Sequence, residues 1–96
     1  MTDPFAPGTT VSLTASTTSA SKEVSGSTHK HMLRVFNSGT VTAFIKTGDS
    51  TVTATANDLP MPGGIVEVIS IGSDTYCAAI TASGSSKLYL TIGIGI

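Results

Sequence analysis

The chain has 96 residues, a formal net charge of −1 and 11% charged residues, whereas typical domains contain about 25%. This balance excludes the basic surface with which proteins hold nucleic-acid phosphates. No apolar run reaches the roughly 20 residues that span a bilayer. We therefore expect one domain with neither a nucleic-acid nor a membrane partner, and a weakly charged surface that copies of itself or another protein cover.

Cys77 is the single cysteine, so an intramolecular disulfide cannot form. The apolar run at 76–80 predicts a strand in which this thiol packs as a small hydrophobe. The first residues contain neither the basic nor the apolar segment of a secretory signal. We expect folding in the reducing compartment where the chain is made.

Residues 1–8 predict an extended N-terminal arm, because Pro4 and Pro7 flank Phe5 and favour extended backbone. Phe5 would either be loosely exposed or dock on a neighbouring protein. Residues 9–96 are predicted to form a single β domain. Its first strand covers residues 9–15, which alternate between apolar and polar side chains.

A second short strand is predicted at 22–24, after small residues that suit a turn or a weakly specified edge. The central prediction is a hairpin formed by residues 31–36 and 40–46. Asn37-Ser38-Gly39 supplies the turn chemistry between these two runs, and Phe36 and Phe44 are predicted to lie in the core.

His29 and His31 would share one strand face, but a metal site needs a third and usually a fourth ligand. The chain contains no other histidine, so we expect solvated side chains and no metal or other cofactor.

Residues 51–56 (TVTATA) predict a further strand. Residues 57–64 follow with two prolines and two glycines, which exclude a central strand and require a shaped loop. In this loop Leu59 and Met61 either cap one end of the core or present an apolar tip to a partner.

Residues 65–71 are apolar except for Glu67 and predict a strand buried on both faces. Residues 75–81 predict another strand. Residues 87–96 alternate strictly and predict the last one, which we expect to be paired because an uncharged edge invites aggregation.

Seven to eight short strands with turn signals every 8 to 12 residues or so predict an all-β fold, a small antiparallel β-sandwich or jelly-roll-like domain. The sequence contains no motif for nucleophilic, metal-dependent or phosphate-transfer catalysis. We predict that the protein is not an enzyme.

Three stretches in order, LRVFNSGTVTAFIKTGD, LPMPGGIVEVISI and YCAAITASGSSKLYLTIGIGI, resemble small virion proteins of tailed bacteriophages. The resemblance covers residues 31–96, and residues 1–30 show no firm match. It implies a capsid decoration (cement) protein that binds the outside of an assembled capsid and stabilises it. The implied partners are the major capsid protein and the chain itself, as a homotrimer or homodimer, with synthesis in the host cytoplasm and localisation on the virion.

The residues predicted to make these protein contacts lie in the arm and in the proline loop; they are Pro4, Phe5, Pro7, Leu59, Pro60, Met61 and Pro62. Two alternatives stay open. One is another phage head or head–tail component, such as a head-fibre base or a neck protein. The other is a module that binds host glycans.

Overall fold

The computed structural model describes residues 5–24, 31–72 and 74–95, without the side chains of residues 5–9, 31, 72, 94 and 95. Within these ranges the chain forms eight strands and no helix. The strands are β1 (Phe5–Ala15), β2 (Ala20–Glu23), β3 (His31–Asn37), β4 (Ala43–Gly48), β5 (Leu59–Met61), β6 (Val66–Gly72), β7 (Tyr76–Thr81) and β8 (Ser86–Gly95).

The strands form two antiparallel four-stranded sheets. Sheet A has the order β1-β8-β3-β6, and sheet B has the order β2-β7-β4-β5. The first strand pairs with the last, the second with the seventh, the third with the sixth and the fourth with the fifth. This nested pairing is one long hairpin rolled over itself, which is the jelly-roll arrangement. The predicted all-β sandwich class is confirmed.

The core lies between the two sheets and comes from alternate residues of the central strands. Strand β8 supplies Leu88, Leu90 and Ile92, and β3 supplies Leu33 and Val35, all buried. Strand β8 pairs with β1 on one side and β3 on the other. Its uncharged Gly-Ile-Gly segment pairs with β1 at all three residues, and Gly93 pairs with β3 as well, so the segment is paired as the sequence led us to expect.

The predicted hairpin between β3 and β4 is wrong. Strand β3 pairs with β6 and β8 in sheet A, whereas β4 pairs with β5 and β7 in sheet B. Residues 38–42 carry the chain from one sheet to the other. Leu33, Val35, Ala43 and Ile45 all point into the core.

The side chain of Asn37 explains why these residues cross over instead of turning back. Asn37 is fully buried. Its Nδ2 donates to the carbonyl oxygens of Val41 at 2.9 Å and Met61 at 2.7 Å, and its Oδ1 accepts from the N–H of Gly39 at 3.0 Å. One amide thus serves both the crossover and β5.

The main chain of Asn37 forms hydrogen bonds with a different part of the chain, the end of the proline loop. Its N–H donates to the Ile65 carbonyl at 3.1 Å, and its carbonyl accepts from the Gly64 N–H at 2.7 Å. Gly64 has a φ of +80°, a conformation that glycine adopts without steric cost. Asn37 therefore ties β3 to the end of the proline loop, just before β6 begins.

Small residues pack closely against one another at this end of the sandwich. A Cβ on Gly39 would lie 2.4 Å from Ser86 Oγ, and one on Gly63 would lie 2.7 Å from the Gly39 carbonyl oxygen. Ser86 Oγ donates to the Val41 carbonyl at 2.8 Å and accepts from the Val41 N–H at 3.1 Å. The proline loop is thus held against the crossover.

Residues 51–56 do not form the predicted strand; the fourth-to-fifth strand connection runs through them. Asp49 Oδ1 accepts from Thr51 N–H and Oγ1 at 2.9 and 2.6 Å, and Asp58 Oδ2 accepts from the Thr55 N–H at 2.7 Å. Such side-chain bonds replace ladder bonds and favour turns. Strand β5 instead lies in the proline loop, at a sheet edge where Pro60 is tolerated.

Strand β6 is not buried on both faces, which corrects the prediction for residues 65–71. It is the edge of sheet A and contacts mainly β3, with little of sheet B behind it. Val66 and Val68 are each 42% exposed, and Glu67 is exposed as well. Solvent therefore satisfies the carboxylate that the prediction left without a partner.

Residues 5–8 of the predicted arm belong to β1, which begins at Phe5 and pairs with β8 from there. The register shifts by one residue between Pro7 and Thr10. Proline has no N–H to donate, so a bulge on an edge strand is where it fits. Pro4 lies outside the described residues.

We expect Asn37→Ala to lower the free energy of unfolding by about 2 to 4 kcal/mol, because the carbonyls of Val41 and Met61 lose buried donors. Urea unfolding followed by circular dichroism measures the change. Asn57→Ala, at an exposed asparagine, is the matched control and should change stability by less than about 0.5 kcal/mol. Equal effects would contradict the role given to Asn37.

Asn37→Asp tests the same contacts through pH. The introduced carboxyl would face two carbonyl oxygens in a buried site, so its pKa in the folded chain should rise above the unfolded value of about 3.9. Folding then takes up a proton, and the variant gains stability as pH falls through that raised pKa. Urea midpoints should rise relative to wild type between about pH 7 and pH 5; parallel pH profiles would count against the geometry.

Candidate protein-interaction surface

The structure separates the residues that the sequence grouped as a docking site. Phe5 and Pro7 lie in β1, with side chains outside the description. Leu59, Pro60 and Pro62 are exposed around β5. The arm residues belong to sheet A and the loop residues begin in sheet B.

Met61 is withdrawn from the docking residues because its side chain is fully buried. It packs with Ala43 and Ile45 in the core, so of the two alternatives for this loop Met61 caps the core. Leu59 lies two residues before Met61, on the same side of β5. It is 45% exposed, because β5 is the edge strand of the sheet. The loop therefore keeps one large apolar side chain for a partner.

The outer face of sheet A carries a larger apolar surface, which the sequence did not predict. Cross-strand register places Tyr89 beside Phe36, and Phe36 beside Val66. In the next row Arg34 separates Thr91 from Val68. We call Phe36, Val66, Val68 and Tyr89 the outer patch.

The two aromatic rings of the outer patch are stacked. Their centroids are 6.3 Å apart and their planes differ by 19°. The Nζ of Lys87 lies 5.5 Å from the centre of the Tyr89 ring, within the range of a cation–π contact. Contacts on both sides restrict the Tyr89 ring, so little side-chain entropy remains to be lost when a partner covers it.

The outer patch stays open to solvent in the single chain. Tyr89 is 37% exposed, and the two valines are 42% exposed each. Ile65, which joins the proline loop to β6, is 40% exposed. On the outer face of sheet A the exposed apolar side chains thus extend from Val66 and Val68 of β6 to Tyr89 of β8.

The polar groups of this face are cations and hydroxyls. Arg34 and Lys87 are exposed on it, and the hydroxyls of Thr10 and Thr91 are 2.7 Å apart in a hydrogen bond. An aromatic and aliphatic centre with a polar margin is the usual composition of a protein-binding surface.

Sequence reasoning missed the outer patch because periodicity cannot tell which face of a strand meets a second layer. Phe36 and Phe44 were predicted to lie in the core, yet both are half-buried on outer sheet faces. One signal was available, because Phe36 lies at the opposite parity from Leu33 and Val35 along β3. The burial of those two residues defines the inner face of the strand. Residues 65–71 gave no such signal, because both parities are apolar.

The titratable groups give no second site in the described ranges. No group of three or more metal-ligating side chains occurs there, and His29 lies outside them. Burial raises the pKa of the Cys77 thiol to about 12, and the thiol packs in the core as predicted. In the described residues no helix is long and apolar enough to cross a membrane.

Comparison with solved structures finds the same fold in a chain described by the words "Bacillus endospore appendages form a novel family of disulfide-linked pili". The match has a TM-score of 0.56 at 14% identity and covers 96% of this chain and 88% of the other. A likeness at this identity shows the fold. No protein-family model matches the chain, and no curated protein matches it.

We expect Cys77 to be unreactive toward a disulfide reagent at about pH 8 in the folded protein, because its thiolate is scarce and buried. Labelling should follow the unfolding transition as denaturant is added, and the fully unfolded chain is the control that reacts at once. Rapid labelling of the native protein would show that β7 opens or that the thiol lies elsewhere.

Proposed function

We propose that this chain is a structural subunit that works in many copies and binds protein partners through the outer patch. The observation that carries the proposal is the row of Tyr89, Phe36 and Val66 on the outer face of sheet A, in which Tyr89 and Val66 are exposed and Phe36 is half-buried. A surface with few charges protects poorly against association, which suits a protein whose exposed apolar face is covered in its working state.

The form of this role that we propose first is capsid decoration, which rests on the resemblance of residues 31–96 to small phage virion proteins. Jelly rolls occur among viral capsid domains, which is compatible with this role. Copies held at many equivalent sites gain from multivalency when they also contact one another. The partners would be the major capsid protein and the chain itself, on the virion surface.

A subunit of an extracellular filament is the second candidate, favoured by the fold shared with the appendage chain. That chain is described as belonging to disulfide-linked pili. Cys77 is the single cysteine of this chain and is fully buried, so it is not placed to form a disulfide between subunits. A filament of this chain would have to be held by non-covalent contacts.

Binding to purified capsids tests the outer patch. We expect Tyr89→Ser and Val66→Ser each to weaken binding about tenfold, the effect of losing a well-packed contact residue. Ser83→Ala, in an exposed turn, should leave binding unchanged. Leu59→Ser reports on the proline loop: a loss there with intact binding of the two outer-patch variants would transfer the docking role to the loop.

Electron microscopy of the purified protein separates the two candidates. Long filaments that form without capsids would favour the appendage role, and capsid-bound copies in the hundreds, as the resemblance implies, would favour decoration. Deleting residues 1–8 is not a clean test of an arm, because Phe5–Ala15 is a strand of sheet A.

A further inference from the structure

Strand β6 leaves one row of main-chain groups open. It lies at the edge of sheet A, and among the described strands it pairs only with β3. The bond from Asn37 N–H to the Ile65 carbonyl fixes which groups face β3, because antiparallel pairs alternate between bonded and non-bonded positions. Glu67 and Ile69 follow the same phase as Ile65.

The N–H and C=O groups of Val66, Val68 and Ser70 therefore point away from the sheet. They give the edge three donors and three acceptors in a row. Val66 and Val68 are also 42% exposed, so an incoming strand would cover apolar side chains as well as satisfy the backbone. The chemistry that fits this edge is another extended strand.

The other three described sheet edges carry features that oppose strand addition. Strand β1 has Pro7 and a register shift, and it lies against β2 and β7 of sheet B. Strand β2 has four residues and includes Lys22, and β5 has three residues with Pro60 at its centre. Strand β6 has seven residues, no proline and no lysine, and its one opposing feature is the Glu67 carboxylate, in phase with the inner-face residue Val35.

We propose that two copies of the chain pair through β6, antiparallel about a two-fold axis at Val68. Val66 then lies opposite Ser70 of the second copy, and Val68 opposite Val68 of the second copy. All three positions fall on bonded pairs, so six hydrogen bonds form and no donor or acceptor of the row is left open. The second copy is the partner because its edge is complementary to this one in every group.

The dimer would contain one continuous eight-stranded sheet and would extend the outer patch of each copy into a shared surface. This inference deepens the proposed multi-copy function and rests on it. The axis also places the two Glu67 carboxylates diagonally across the junction, about 7 to 8 Å apart. Their repulsion weakens the dimer and keeps the pairing reversible.

Sedimentation from about 1 µM to about 1 mM, the range in which weak and moderate associations are half-saturated, tests the dimer. We expect wild type to reach the mass of two chains and Val68→Lys to remain a monomer, because an edge lysine opposes strand addition. Thr14→Lys adds the same charge at the opposite edge of sheet A and should still dimerise. Glu67→Gln should tighten the dimer about twofold to fivefold.

Amide hydrogen exchange on the same samples identifies the edge. In wild type the Val66, Val68 and Ser70 amides should be protected at high concentration and lose protection on dilution or in Val68→Lys. The Glu67 and Ile69 amides should stay protected in both, which also shows that the variant is folded. A wild-type monomer throughout, or a dimer in which those three amides exchange freely, would overturn the proposal.

Failure here is distinguishable from failure of the proposed function. Weaker capsid binding by Tyr89→Ser in a chain without a β6 dimer would leave the outer patch as a binding surface and remove the two-fold pairing. A β6 dimer that binds capsids equally well with and without Tyr89→Ser would support the two-fold pairing and remove the outer patch as a binding surface.

Discussion

The buried amide of Asn37 is the contact on which the arrangement of this jelly roll depends. Its side chain holds the crossover and β5, and its main chain holds the end of the proline loop. Buried polar groups stabilise a fold only when each is satisfied, and this side chain donates to the carbonyls of Val41 and Met61 and accepts from the N–H of Gly39. The same contacts set the phase of β6, and hence which of its groups remain open. Core geometry and surface chemistry are linked through one side chain.

Sequence reasoning succeeds where one face of a strand is visibly different from the other. The strict alternation of β8 predicts that strand and its inner face. In β3 the pattern predicts the strand, but the prediction put Phe36 in the core, whereas Leu33 and Val35, at the opposite parity, are the buried residues. It fails where a local pattern has two tertiary solutions. Asn37-Ser38-Gly39 suits a tight hairpin as well as a crossover, and the difference lies in Met61 and Ser86, which are distant in sequence. The apolar pattern of residues 65–71 is compatible with a central strand and equally with an apolar edge strand.

The candidate surface was beyond prediction for the same reason. Leu59 is exposed, as one of the two alternatives for this loop had it, but Met61, two positions on and on the same face of β5, is buried because it lies beside Ala43 in the core. The outer patch exists because sheet A has no layer on its far side, and that is a property of the whole fold. A low charge content predicts that some surface is covered in the working state, and only the register of β3, β6 and β8 shows where exposed apolar side chains come together.

The nested pairing also has a consequence during synthesis. Strand β8 lies between β1 and β3, so sheet A cannot close until β8 has left the ribosome. Before that, β1 and β3 have no common neighbour, and the apolar strand β6 has only β3 to cover it. Contacts between distant parts of a chain form slowly because loop closure precedes any gain. The nascent chain must therefore pass through a stage in which several edges are open at once, and its polar, threonine-rich connections keep it soluble until the last strand enters the middle of the sheet.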